Sequence, residues 1–328
     1  MHSRVDDSLF RNSSGAPRKS SNNEIFIIGA GAIGKTLAVA LKLSDKDVVL
    51  VRGSVDDGSR SVEKIEVVTN DSAKLEAEIE VGTFSRFSAL DGIIVLTNKS
   101  FGNDNLARTL EAKAKNSPVV ILQNGLGVER PFTDRDFPEV YRCVLFVASQ
   151  TISANRIGFK QVTISPIGII KGSKANLQSV VEQLNSPVFQ FKAETDIQTV
   201  IWTKAIINSA FNSICPLLEI DNGVFQREAQ ALDIAKRVIA EGAAIAKEYG
   251  IDLEADEIVE KLLLISKSSD GQLISTLQDI NNNRPTEIET LNFEIVNIAR
   301  LLNKESAVAD TKLLGELTRL KSELSRAN

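Results

Sequence analysis

The stretch "EIFIIGAGAIGK", residues 24–35, limits the fold more than any other part of the chain. A short β-branched run ends in three glycines, Gly29, Gly31 and Gly34, at G-x-G-x-x-G spacing. "AIGKTLAVALKLS" then follows with helical spacing, and "DVVLV", residues 47–51, reads as a second buried strand. Strand, glycine turn, helix and strand within about 30 residues is the context a dinucleotide-binding turn requires. Gly29 permits the tight turn, Gly31 lets backbone approach a pyrophosphate, and Gly34 lets helix and strand pack closely. The helix start presents unpaired N–H groups and a positive dipole to phosphates. Residues Gly29, Ala30, Gly31, Ala32, Ile33 and Gly34 are therefore the expected cofactor cradle.

The end of the second strand selects the dinucleotide. Enzymes using NAD usually carry Asp or Glu there for the ribose 2′-OH. This chain has Arg52, in "VLVRGS", and a guanidinium suits a 2′-phosphate. Gly53 and Ser54 beside it leave room and offer a donor. The expected cofactor is NADPH/NADP+.

Further strand-like runs follow in "GIIVLT", "PVVILQ" and "YRCVLFVAS", with "VTISPIGII" and "PVFQFKA" closing this half. From about Asp196 the period becomes helical in six successive segments. The expected architecture is α/β: a Rossmann-type, doubly wound domain over residues 24–195, then an all-helical domain over residues 196–328 carrying substrate and catalytic groups. Residues 1–23, rich in Ser, Asn and charge, read as a disordered tail without the apolar core of a secretory signal.

Composition excludes several classes. A net charge of −5 provides no basic field for nucleic acid. No apolar run reaches membrane-spanning length. Cys143 and Cys215 have neither framework nor metal-ligand spacing, so a reducing cytoplasm is the expected compartment.

A dinucleotide domain joined to a helical domain suggests hydride transfer, and the supply of general acids is narrow. The single histidine is His2, in the tail. Neither Tyr141 nor Tyr249 has a lysine four residues on, and zinc lacks ligands. Lys, Asp or Glu remain. In "WTKAIINSAFNSICP", Lys204, Asn208 and Asn212 recur every four residues and share one face of an otherwise apolar helix, a polar stripe suited to a cleft. In "RPTEIETLNFEIVNIARLL", Ile288, Leu291, Ile295, Ile298 and Leu302 form a buried stripe. Glu287 falls at its edge, in the first turn, and Glu289 points nearly opposite.

With these residues placed, the chain resembles the ketopantoate reductase (2-dehydropantoate 2-reductase) family over about residues 24–324. The matching motifs are "GAGAIG", "VLVRG", the Lys of "LTNKS", "QNGLG", "WTKAIINSAFNSICPL", "DNG" and "STLQDINNNRPTEIETLN". The resemblance implies that Lys204 protonates the carbonyl oxygen of a 2-oxo acid as hydride reaches C2. It implies that Glu287 holds the substrate hydroxyl close to Lys204, and that Asn208, Asn212 and Ser275 bind substrate. It places Lys99 and Asn124 on the cofactor, with Arg52 on its 2′-phosphate, and makes a homodimer an expected assembly. Phe146, Phe293 and the neighbours of Ser275 depart from the family pattern and bear on which 2-oxo acid is used. A paralogous reductase, or a protein that only senses NADP(H), are the other readings.

Overall fold

The computed structural model describes residues 24–327 except 54 and 115; the tail with His2, and Ser54, lie outside the described residues. The chain opens with β1 (Glu24–Ile28), α1 (Ala32–Lys42) and β2 (Val48–Arg52). A hairpin of β3 (Arg60–Thr69) and β4 (Lys74–Thr83) follows, then β5 (Gly92–Leu96), α2 (Asn103–Lys113) and β6 (Val119–Ile121). The short α3 (Arg130–Thr133) leads to β7 (Val140–Cys143), a second hairpin of β8 (Val147–Ser153) and β9 (Arg156–Gln161), β10 (Ser165–Lys171), α4 (Lys174–Leu184) and β11 (Phe191–Ala193). Everything beyond is helical: α5 (Ile197–Leu218), α6 (Val224–Arg227), α7 (Ala229–Glu248), α8 (Ala255–Ser268), α9 (Ser275–Asn281), α10 (Asn292–Leu301) and α11 (Ala309–Ala327).

The strands form one eleven-stranded sheet in the order β11-β10-β7-β6-β5-β1-β2-β4-β3-β9-β8. Its centre is parallel: β1 pairs in parallel with β2 and β5, β5 with β6, and β6 with β7. These strands are apolar at almost every position, as strands covered on both faces must be. One face packs α1 and α4 over Ile25, Ile27, Leu50 and Val95; the other packs α2 over Phe26, Ile28, Ile94 and Ile121. The expected α/β domain with a helical second half is therefore found. Its sheet is mixed rather than purely parallel, because β3–β4 and β8–β9 are antiparallel hairpins at one edge and β10 runs antiparallel to β7 toward the other.

Two expected elements are divided. "YRCVLFVAS" is not one strand: the backbone leaves the sheet at residues 144–146, between β7 and β8. The helix expected to include Glu287 is a 3-10 turn over Ile288–Thr290, followed by α10 from Asn292. At the cleft, the loops after β6 and β7 send Leu126 and Val144 into the helical core around α5. The two halves thus share packing where the C-terminal ends of the parallel strands meet the helices, the edge at which α/β sheets bind ligands.

Candidate active site

The glycine turn shows why its residues are small. Gly29 has φ +119°, and a Cβ there would come within 2.6 Å of the Asn98 amide nitrogen. At Gly34 a Cβ would come within 2.0 Å of the Gly29 carbonyl oxygen, which is the close helix–strand approach. Thr97 Oγ1 donates to the carbonyls of Ile28 (3.1 Å) and Gly29 (2.9 Å), tying the turn to β5. Gly31 differs from both: nothing lies within 4 Å of its virtual Cβ, so open space faces the start of α1. That helix has no side-chain cap, and its N-terminus is free to meet an anion. The buried Asn98 Oδ1 beside the turn has no hydrogen-bond partner. These features fit a dinucleotide pyrophosphate on Gly29 to Gly34. Arg52 ends β2 on the same edge, where its Nη2 donates to Glu63 Oε1 at 2.5 Å.

The loop after β6 carries Asn124, which is partly buried. Arg142 holds this loop from beneath. Its guanidinium is 2% exposed, pairs with Glu129, and donates to the carbonyls of Gln123 (3.3 Å) and Gly125 (2.9 Å). Asn103 and Gln123 exchange two amide hydrogen bonds alongside. Gly125, at φ +98°, is where the domains touch, since a Cβ there would meet the Thr290 carbonyl oxygen at 2.5 Å. Leu126 N–H donates to that same oxygen at 2.8 Å. Thr290 Oγ1 in turn donates to the Glu287 carbonyl at 3.2 Å, so the loop after β6 and the Glu287 turn form one junction.

Lys204 lies on α5, whose other faces bury Trp202, Ala205, Ile206, Ile207, Ala210 and Phe211. Its Nζ donates to the Leu145 carbonyl at 2.5 Å and stands 5.7 Å from the centre of the Phe146 ring, within cation–π range. Both residues come from the break between β7 and β8. Burial pulls the Lys204 pKa down to about 8; the nearby Arg142 acts in the same direction, while Cys143 and Glu287 oppose it. The result is an ammonium that holds its proton less tightly than an ordinary lysine.

Glu287 is 11% exposed and accepts from Lys99 Nζ at 3.0 Å. Lys99 also donates to Asp279 of α9 at 3.1 Å, and Asp279 accepts from Arg284 Nε at 3.0 Å. Burial works to lower the Lys99 pKa, but the carboxylates of Glu287 and Asp279 outweigh it and hold it above the ordinary lysine value. Glu287 acts on Lys204 through its field; among the described residues its ion pair is with Lys99. Glu289 faces outward, 59% exposed, 3.5 Å from Arg319.

The polar stripe on α5 divides in two. Lys204 and Asn208 are partly exposed, whereas Asn212 is buried. Asn212 Oδ1 accepts from Thr276 Oγ1 (2.7 Å), Ser275 Oγ (3.3 Å) and the Thr276 amide (3.4 Å), and its Nδ2 donates to the Asn208 carbonyl (3.0 Å). The residue before α9, Ile274, has no capping side chain. Asn212 therefore caps α9 from another helix and fixes Ser275. Arg142, Asp279 and Glu63 were not singled out in the sequence. A charge inside the apolar run "YRCVLF" was the one available signal for Arg142. A cavity of about 200 Å³ lined by Ser100, Asn103, Gly127 and Thr290 adjoins the junction. A larger one, about 440 Å³, lies beside Lys312 and Leu313 and holds none of these residues. No group of His, Cys, Asp and Glu suited to a metal occurs among the described residues.

Comparison with known proteins gives one answer for both halves. Residues 25–173 match the family model described as "Ketopantoate reductase PanE/ApbA", and residues 196–318 match "Ketopantoate reductase PanE/ApbA C terminal". A 2-dehydropantoate 2-reductase of Pyrococcus horikoshii is 29% identical over 92% of this chain and 98% of its own. One from Lactococcus lactis is 24% identical over 92% and 99%. Among solved structures, a dimeric ketopantoate reductase from Staphylococcus aureus superposes with TM-score 0.76 at 18% identity, covering 92% of this chain and 99% of that one. A D-mandelate dehydrogenase in ternary complex with NADH and anilino(oxo)acetate superposes with TM-score 0.79 at 20% identity and the same coverage. At these identities the two structures speak for the fold.

Proposed function

Since the chain belongs to the ketopantoate reductase family of oxidoreductases, we propose that it reduces 2-dehydropantoate to pantoate with NADPH, a step of pantothenate and coenzyme A biosynthesis. The observation that carries this reading is the position of Lys204: a cation on the helical half that reaches the Leu145 carbonyl of the α/β half at 2.5 Å and lies within the field of Glu287.

The cofactor would lie on Gly29, Ala30, Gly31, Ala32, Ile33 and Gly34 with its 2′-phosphate toward Arg52 and its far end toward Asn124, and when bound it supplies hydride. The remaining work falls to the chain. As the carbonyl carbon gains hydride, its oxygen gains negative charge, and the Lys204 ammonium stabilises that charge and gives up a proton to it. Lys204 must exchange its bond to Leu145 for one to substrate. Glu287 accepts from the substrate hydroxyl and supports the charge on Lys204. Lys99 sets the orientation of Glu287. Asn208 is the donor toward substrate; the Ser275 hydroxyl, whose proton goes to Asn212 Oδ1, offers its oxygen as an acceptor to the substrate hydroxyl, and Asn212 holds it in register.

A second reading, reduction of another 2-oxo acid, is favoured by one specific observation: the Phe146 ring lies against the Lys204 ammonium. A cytoplasmic location and a homodimer belong to the same proposal. No described helix is long and apolar enough to cross a membrane. NADPH oxidation followed with 2-dehydropantoate and a panel of other 2-oxo acids tests the proposal. Turnover only with another acid selects the second reading, and cofactor binding without any turnover leaves a sensor.

A further inference from the structure

The corner between the end of β2 and α1, where the dinucleotide reading would put the adenosine ribose, holds more than Arg52. Glu63, on β3, accepts from Arg52 Nη2 at 2.5 Å with one carboxylate oxygen, and its other lies 3.8 Å from Lys35 Nζ. Lys35 directly follows Gly34 in α1 and is itself held by the Ala154 carbonyl (2.6 Å) and Asn155 Oδ1 (2.7 Å) of the β8–β9 turn. The sheet explains the meeting. Arg52 pairs with Thr83 at the end of β4, and β3 runs back along β4 from Arg60 opposite Gly82. The start of β3 is thereby level with the C-terminal end of β2. Glu63 stands between the end of the second strand and the helix of the pyrophosphate cradle, the interval a ribose spans. Its side chain is 17% exposed.

Resting on the dinucleotide reading above, we propose that Glu63 is a specificity-determining residue that gives this site a second cofactor, NADH. A ribose 2′-OH needs an acceptor. Arg52 and Lys35 are donors only, and among the described residues Glu63 is the carboxylate that contacts both; Asp57 feels the charge of Arg52 but accepts its hydrogen bond from the Ser59 amide. A 2′-phosphate brings about −1.5 to −2 charge to the same spot. It gains Arg52 but meets a carboxylate that already occupies the guanidinium and repels it. The carboxylate that the glycine-turn fold usually carries at the end of the second strand is here delivered from a neighbouring hairpin. The discrimination provided by Arg52 is correspondingly muted.

The test is fluorescence titration of the full chain with NADPH and NADH separately, without substrate, for wild type, Glu63→Gln and Arg52→Ala. The wild type binds both, with dissociation constants within about tenfold of each other. Glu63→Gln tightens NADPH and weakens NADH, moving their ratio by about tenfold or more. Arg52→Ala weakens NADPH and leaves NADH nearly unchanged. Glu63→Ser serves as a second charge-removing variant, and thermal melts check that each is folded. Equal changes for both cofactors in the Glu63 variants, or weaker NADPH binding, overturn the role of Glu63 while leaving the proposed reaction standing. A wild type that binds neither dinucleotide overturns both. Tight binding without turnover of any 2-oxo acid overturns the reaction alone.

Discussion

The withdrawal from water that makes Lys204 costly to the fold is what would make it useful in the proposed reaction. A lysine whose native pKa is about 8 rather than 10.5 binds fewer protons folded than unfolded between those values. Stability therefore rises with pH across that window, and below it the fold carries the cost of a partly buried, desolvated charge. Replacing Lys204 with Met should lower kcat by about a hundredfold or more, the range for lost acid catalysis and oxyanion stabilisation. It should leave Tm at pH 7 unchanged or raised, and NADPH titration nearly unaffected. Loss of Tm together with cofactor binding would mean Lys204 is a structural residue. The protonated form is the acid, so kcat should hold below pH 8 and fall as pH rises through about 8. A profile flat to pH 10 removes Lys204 from the proton transfer. Glu287→Ala should harm both KM and kcat, and Glu289→Ala, out on the surface beside Arg319, neither. Steady-state kinetics of the two variants side by side checks this, and matching behaviour would contradict the facing of the Glu287 turn.

How these residues are held belongs to the elements, and here the sequence was legible in part. The glycine turn, α1 and the parallel centre could be read because each has an unbroken apolar period and a turn residue at its end. The β3–β4 hairpin could not: "RSVEKIEVVT" and "KLEAEIEVGT" alternate charge with small apolar residues, a weak signal without the sheet edge that receives them. The break at residues 144–146 is invisible because "CVLFVA" stays apolar throughout: Val144 and Phe146 turn into the helical core, while Cys143, Leu145 and Val147 pack on the core of the sheet. The 3-10 turn before α10 keeps the buried stripe in phase, so Glu287 and Glu289 faced as periodicity implied although the helix did not continue through them. Asn212 was legible as polar and aligned, but not as the cap of α9, since that partner lies more than sixty residues away. From that role, Asn212→Ala should cost about 1–3 kcal/mol, the range for unpaired buried donors and a lost cap. Urea melts measure it. Asn208→Ala, on the open part of the stripe, should raise KM with little loss of stability. The reverse pattern would exchange the two roles.

Across the whole molecule, the last helix is the feature the catalytic account leaves over. α11 buries Thr311, Gly315, Thr318 and Ser322 and exposes Leu313, Leu317, Leu320 and Leu324 at 53%, 42%, 51% and 58%. The outward leucines recur at intervals of four, three and four, the spacing of a helix-pairing seam. This is the face on which the proposed homodimer would close, and Leu317→Glu with Leu320→Glu should convert a dimer to a monomer in sedimentation velocity. A wild-type monomer at micromolar concentration would remove the dimer from the account. The two halves of one chain meet through Gly125 and Leu126 against Thr290, and in the proposed reaction that junction would bring the cofactor to Lys204. The central claim is that this junction performs hydride transfer to a 2-oxo acid with Lys204 as the acid. A single-turnover experiment tests it most directly: purified enzyme preloaded with NADPH is mixed with 2-dehydropantoate, and loss of nicotinamide absorbance is followed for wild type and Lys204→Met. The account predicts stoichiometric oxidation in the wild type and a rate about a hundredfold or more lower in the variant, with NADPH bound equally by both. Equal rates for the two proteins would contradict it.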